Sequence, residues 1–235
     1  MKSFESLLAS SASAHGHLCP GQVVGVRMAM LGCRLIGLDE PKRQIKKLIV
    51  YVEMDRCAAD ALAHVTGAAL GRRSLKFMDY GIMAATFLNL ETQTAYRVIS
   101  TEAARDLTSA YAPEKLEKTE QQLAAYKRMP DSVLFRVQQV QVALSEFDLP
   151  GPTRHKVSCQ QCGQVVRDHR EVTVDGRTIC RICAGGAYFS NATDVSWRDM
   201  NWSPQRDNQS SQIKNKQAPK TSRLSESTGL PEEMP

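Results

Sequence analysis

Leu48-Ile49-Val50-Tyr51-Val52-Glu53-Met54-Asp55-Arg56-Cys57 is the stretch on which the fold turns. Its first five residues are apolar or aromatic and rich in β-branching, which suits a strand. Asp55 then offers a cap for a helix from about Arg56 to Val65, stopped by Gly67. Working outward, Leu75–Tyr80, Thr86–Leu90, Ala95–Ile99 and Ser132–Val142 read as further strands. Residues 4–14, Pro20 to about Ile36, a segment capped by Thr101 that ends near Tyr111, and one opened by Pro113 read as helices. The helix from Pro20 carries Val23, Val24, Met28, Met30, Leu31, Leu35 and Ile36 around most of its circumference and is expected to be buried. Strands and helices intermix without regular alternation. The predicted fold class is therefore α+β, a mainly antiparallel sheet packed with helices.

The 235 residues suffice for one large domain or two smaller ones. The predicted divisions are a core over 1–149, a linker over 150–156 marked by Pro150-Gly151-Pro152, a cysteine module over 157–191 and a polar tail over 192–235. The tail is rich in Ser, Asn, Gln, Lys and Pro and is expected to be disordered, with Trp197 and Trp202 as its large anchors. The net charge of +5 is mild. It is densest over the cysteine module, where Arg154, Lys156, Arg167, Arg170, Arg177 and Arg181 face three acidic residues. The module read as a protein- or nucleic-acid-binding finger is an alternative function; with only Tyr188 and Phe189 as aromatics there, base-stacking platforms are poor, so a protein-contact or dimer-supporting role is expected over a nucleic-acid partner. No apolar run approaches the roughly 18 residues of a membrane span, so no membrane association is expected.

Cys159-x-x-Cys162 and Cys180-x-x-Cys183 are paired knuckles of the kind that closes a four-thiolate zinc site. Four protein ligands leave no open position, so this predicted zinc is structural. The odd total of seven cysteines in such spacing argues for a reducing, cytoplasmic location over a disulfide framework.

His15-Gly16-His17-Leu18-Cys19-Pro20-Gly21 sets three good metal ligands within five residues at a helix start. Cys19 takes the N-cap position, and Cys57 falls in the first turn of another helix, where the positive dipole end favours thiolate. If the two helix starts converge, His17, Cys19 and Cys57 share a transition metal, expected to be zinc, with His15 as a further ligand. The plain alternative is that the histidines serve a turn and Cys57 is a small buried apolar residue. Cys19 and Cys57 are also the candidates for any catalysis, including a redox thiol pair. Cys33 receives no role, and His64 reads as a satisfied or exposed helix residue. His155 and His169 flank the knuckles but are redundant beside four thiolates. Asp79 suits either a turn or the orientation of a ligand histidine.

His15-Gly16-His17-x-Cys19-Pro20-Gly21-Gln22 with Gly25-Val26-Arg27-Met28-Ala29 resembles the opening of the FmdE family, named for formylmethanofuran dehydrogenase. Asp55-Arg56-Cys57-x-x-Asp60-Ala61, Val65-Thr66-Gly67 and Leu70-Gly71 resemble its second motif. Asp79-Tyr80-Gly81 with Ala84–Phe87 resembles its third. Several members append a treble-clef zinc finger, which the cysteine pairs resemble. The resemblance implies an α+β core, a homodimer and a cysteine–histidine site where the motifs meet. It also implies a place beside molybdenum or tungsten oxidoreductase subunits in one-carbon (formyl/CO2) metabolism, as an accessory component of a formylmethanofuran dehydrogenase-like enzyme, the redox chemistry belonging elsewhere. Two positions depart from the pattern: Ala68 stands where relatives often place cysteine, and Ile82 where lysine is frequent.

Overall fold

The computed structural model describes residues 1–112 and 116–196. They comprise a first compact unit, residues 1–187, and the start of a second, residues 188–235. In the first unit the order is α1 (Phe4–His15), α2 (Pro20–Leu35), β1 (Leu48–Val52), α3 (Cys57–Thr66), β2 (Leu75–Phe77), β3 (Ala84–Asn89) and β4 (Ala95–Ser100). The short helices α4 (Ala103–Asp106) and α5 (Thr108–Tyr111) follow, then α6 (Lys118–Arg128), α7 (Asp131–Leu134) and β5 (Phe135–Val140). The sheet order is β2-β1-β3-β4-β5, parallel between β1 and β2 and antiparallel elsewhere. The α+β architecture with an antiparallel-dominant sheet is as the sequence predicts.

Burial explains the arrangement. In α2 the side chains of Val23, Val26, Met28, Ala29 and Cys33 are fully enclosed. All six residues of β3 are buried, so the strand is covered on both faces. Helices cover one face, and Val142 and Leu144 pack against Ile49, Leu88 and Ala95 on the other. The α2 helix sits close to its neighbours because it carries glycine at the contacts. A Cβ at Gly25 would lie 2.6 Å from the Ala58 carbonyl oxygen of α3, and one at Gly32 would lie 2.2 Å from the Phe87 ring of β3.

Local expectations failed where side chains found other partners. Asp55 does not cap α3: the N-cap residue is Arg56, and the exposed Asp55 pairs only with Arg56, at 3.8 Å. Thr101 does not cap α4, because its hydroxyl donates to the Val133 carbonyl at 3.1 Å. The segment ending at Tyr111 breaks into α4 and α5, with the Thr108 hydroxyl bonding the Arg105 carbonyl at 3.0 Å. Strand β2 stops at Phe77, because the Tyr80 N–H turns back to the Met78 carbonyl. Residues 131–134 form a helical turn ahead of β5. Pro113, Trp197, Trp202 and most of the predicted tail lie outside the described residues.

The cysteine module contains two hairpins, β6 (Lys156–Ser158) with β7 (Val165–Arg167) and β8 (Glu171–Val174) with β9 (Arg177–Cys180). A helical turn over Ile182–Gly186 closes it. Its apolar centre is small, with Ile179, Val166 and Val172 around the sulfurs. Asp168 fastens this module to the sheet. Its carboxylate accepts from the backbone N–H groups of Arg154 (2.8 Å) and His155 (3.3 Å), and from Arg73 Nη1 (2.8 Å). The Arg154 N–H leads the causes that hold this carboxyl below the usual range; those of His155 and Arg73 outweigh the opposing effect of burial together with it. Arg170 adds bonds to Asp148 and to the Phe147 carbonyl.

Candidate metal centres

Two helix starts meet at one end of the core. Cys19 is the N-cap residue of α2 and Cys57 the first residue of α3. Gly21 permits the approach, since a Cβ there would stand 3.0 Å from the Cys57 Cβ and 3.8 Å from the Cys19 Sγ. The buried Gln22 locks the junction. Its Nε2 donates to the Cys57 carbonyl at 2.7 Å, and its Oε1 accepts from the Ser11 hydroxyl of α1 at 2.5 Å.

His15, His17 and Cys19 place one ligand atom each within 4.8 Å of one another. The two rings lie 4.8 Å apart, centroid to centroid. Cys57 stands outside that group of three, although both it and Cys19 border the same glycine, Gly21. His15 Nδ1 lies 3.0 Å from Asp60 Oδ2, so Nδ1 is the donor, and in the neutral imidazole Nε2 is then the nitrogen with the lone pair. That Nε2 is buried and has no hydrogen-bond partner among the described residues. A buried imidazole nitrogen with a free lone pair, beside a second histidine and a thiol, fits a borderline divalent metal.

The Cys57 thiol departs from the sequence expectation. Burial pushes its pKa up, and the Cys19 sulfur beside it pushes further. Arg56 gives no compensation, because its side chain is 77% exposed and turned to Asp55. Two adjacent sulfurs resist carrying two negative charges without a cation between them.

Asp60 and Gln22 are the site residues that sequence reasoning passed over. Asp60 stands three residues after Cys57, the spacing that returns to the same helix face, and this was the available signal. Asp79 is exposed, in the turn that follows β2. His64 is satisfied by the Ser10 hydroxyl at 3.0 Å. Cys33 is fully enclosed, and burial pushes its thiol up to about 12.

In the C-terminal module the four cysteines converge, their sulfurs within 4.8 Å of one another. Cys162 Sγ and Cys180 Sγ are 3.8 Å apart. The N–H groups of Cys180 and Cys183 point at the sulfurs of Cys159 (3.3 Å) and Cys180 (3.4 Å). Burial opposes charge on Cys159, but the N–H groups of Cys162, Cys180 and Gln161 outweigh it and bring the thiol to about 6. Hydrogen bonding with Cys162 and Cys180 pushes Cys183 up to about 12. Such a split is what crowded sulfurs show when one anion is stabilised by its neighbours' protons, and a divalent cation relieves it for all four.

The family described as "FmdE, Molybdenum formylmethanofuran dehydrogenase operon" matches residues 14–142. A curated relative from Archaeoglobus fulgidus, named "Probable S-adenosyl-L-methionine-binding protein", is 27% identical over 202 residues. The match takes in 77% of this chain and 53% of the relative, so the chain spans about half of that protein's length. An FmdE-like protein of the tungsten formylmethanofuran dehydrogenase type, from Syntrophus aciditrophicus, shares the fold. Its TM-score is 0.51 at 20% identity, over 80% of this chain and 95% of that one.

Proposed function

The chain belongs to the FmdE family, and on that premise we propose that it is a metal-binding accessory protein of one-carbon oxidoreductase metabolism. One transition-metal ion, proposed as zinc, is held in the core by His15, His17 and Cys19, with Cys57 as the adjoining thiol. A second, structural zinc is held by Cys159, Cys162, Cys180 and Cys183 in a treble-clef module. The partners proposed are molybdenum or tungsten oxidoreductase subunits and a second copy of this chain. The compartment proposed is the cytoplasm; among the described residues no helix is long and apolar enough to cross a membrane. The observation that carries the reading is the buried, unpartnered Nε2 of His15 with Asp60 on its opposite nitrogen. At the core site a bound metal supplies Lewis acidity. The protein's own part is to hold His15 in one tautomer through Asp60 and to bring two helix starts together through Gly21 and Gln22.

Metal analysis of the wild-type chain beside Cys57→Ala and His15→Ala variants tests this. The expected result is a metal deficit at the core site in both, with the four-cysteine ion retained. Unchanged metal content in both overturns the core assignment. A second reading, a redox pair of Cys19 and Cys57, draws on the meeting of their two helix starts beside Gly21. It predicts a reversible Cys19–Cys57 disulfide on treatment with glutathione disulfide, two thiols giving one disulfide as the oxidant becomes two glutathione thiols. Titration with S-adenosyl-L-methionine, the ligand in the archaeal relative's name, tests whether that property is shared.

A further inference from the structure

Glu171 opens β8 opposite Cys180 of β9, and its carboxylate holds together a cluster that neither proposed metal centre uses. His155 Nε2 lies 3.2 Å and His169 Nδ1 2.9 Å from the same oxygen, Glu171 Oε1. The two imidazoles stack with centroids 3.9 Å apart and planes 13° from parallel. Phe147 walls them, its ring edge-on to His169 at 4.2 Å. The other carboxylate oxygen, Oε2, is buried with no hydrogen-bond partner.

We propose that His155 Nε2, His169 Nδ1 and the Glu171 carboxylate form a binding site for a further divalent transition metal. A hydrogen-bonded clamp accounts for Oε1 but leaves Oε2 without a partner among the described residues, which a buried carboxylate oxygen rarely is. A cation bound through both carboxylate oxygens and the two ring nitrogens satisfies Oε2; it needs each ligating nitrogen free of its proton and the stacked rings turned toward the ion. Metal–ligand bonds of about 2.0–2.2 Å put donors on different residues about 3.4 Å apart, close to the 3.2 and 2.9 Å that separate the ring nitrogens from Oε1. Two imidazoles and one carboxylate suit a borderline ion such as Zn2+.

Asp168 and His169 form the turn between β7 and β8 in left-handed conformations, with φ of 55° and 57°, which Asp and His adopt more readily than most residues. Here Asp168 is anchored by the Arg154 and His155 N–H groups and by Arg73, which delivers His169 to His155. His169 also lines a cleft of about 750 Å³ with Tyr51, Lys76 and Arg170. Three protein donors leave a coordination position for water or a small anion, in contrast to the closed four-cysteine set.

The test is the metal content of the full chain after saturation with Zn2+ and removal of excess, for wild type, His169→Gln and Glu171→Gln. Each variant is expected to bind one equivalent fewer. The sulfur-to-metal absorption of Co2+-loaded samples should be unchanged, which separates this site from the cysteine centres. Equal metal content in all three overturns the proposal. Should a variant lose the sulfur absorption, the wild-type protein decides. Ring 15N resonances of His155 and His169 that move on adding Zn2+ at constant pH support the site, and resonances that stay put overturn it.

Discussion

Asp60 acts on His15 across a gap of 45 residues in sequence, and this pairing gives the core site its polarity. The carboxylate accepts from Nδ1, which leaves Nε2 as the ring nitrogen for a metal in the neutral imidazole. Asp60→Asn is expected to weaken core metal binding about 10–100-fold while leaving the fold intact, because its side chain is 68% exposed. Competition with a chelating dye measures this. Cys33 shows the opposite extreme. Its thiol, pushed up to about 12 by burial, should resist iodoacetamide at mildly alkaline pH in the native protein and react once the chain is denatured, as peptide mass mapping would record. Labelling of native Cys33 at the rate seen in the denatured chain would contradict the enclosed placement. The histidine and cysteine positions were visible as motifs. Asp60 was visible within a motif but without a role, since nothing local says which imidazole a helix carboxylate will meet.

Helix α2 depends on closeness rather than on bulk. Gly32→Ala would drive a methyl into the Phe87 ring, and Gly25→Ala would meet the backbone of α3. Overpacking of this kind costs about 1–3 kcal/mol. Gly71→Ala, with open space around it, should change stability by no more than about 0.5 kcal/mol. Urea unfolding of the three variants makes the comparison. Gln22→Ala should cost about 1–3 kcal/mol in the same assay, because it strands the Ser11 hydroxyl and the Cys57 carbonyl in a buried place. Elements with strong periodicity, α2 and β1, were legible to within a residue or two. The capping failures lay at Thr101, whose hydroxyl turned to the Val133 carbonyl, and at Asp55, whose carboxylate pairs with the Arg56 side chain.

Chelation should divide the molecule. The apolar centre of the C-terminal module is small, so with the proposed four-cysteine ion in place ligation energy there is folding energy. Treatment with a strong zinc chelator is expected to remove hydrogen-exchange protection from residues 156–183 while β1, β3 and β4 stay protected. Uniform loss across the sheet would show that the module's ion supports the whole unit. Asp168→Ala should loosen the same module without touching a cysteine, because it frees Arg73 and two N–H groups at once. The four-cysteine module, the α+β class and the histidine–cysteine opening were all carried by local spacing: knuckles, hydrophobic periods and helix starts are short-range patterns set by backbone geometry. The pairing of Cys19 with Cys57, the aim of Asp60 at His15, and the gathering of His155, His169 and Glu171 belong to the folded chain alone. They join side chains through packing across long loops, and a one-dimensional pattern holds no term for the distance between residues that only the core brings together.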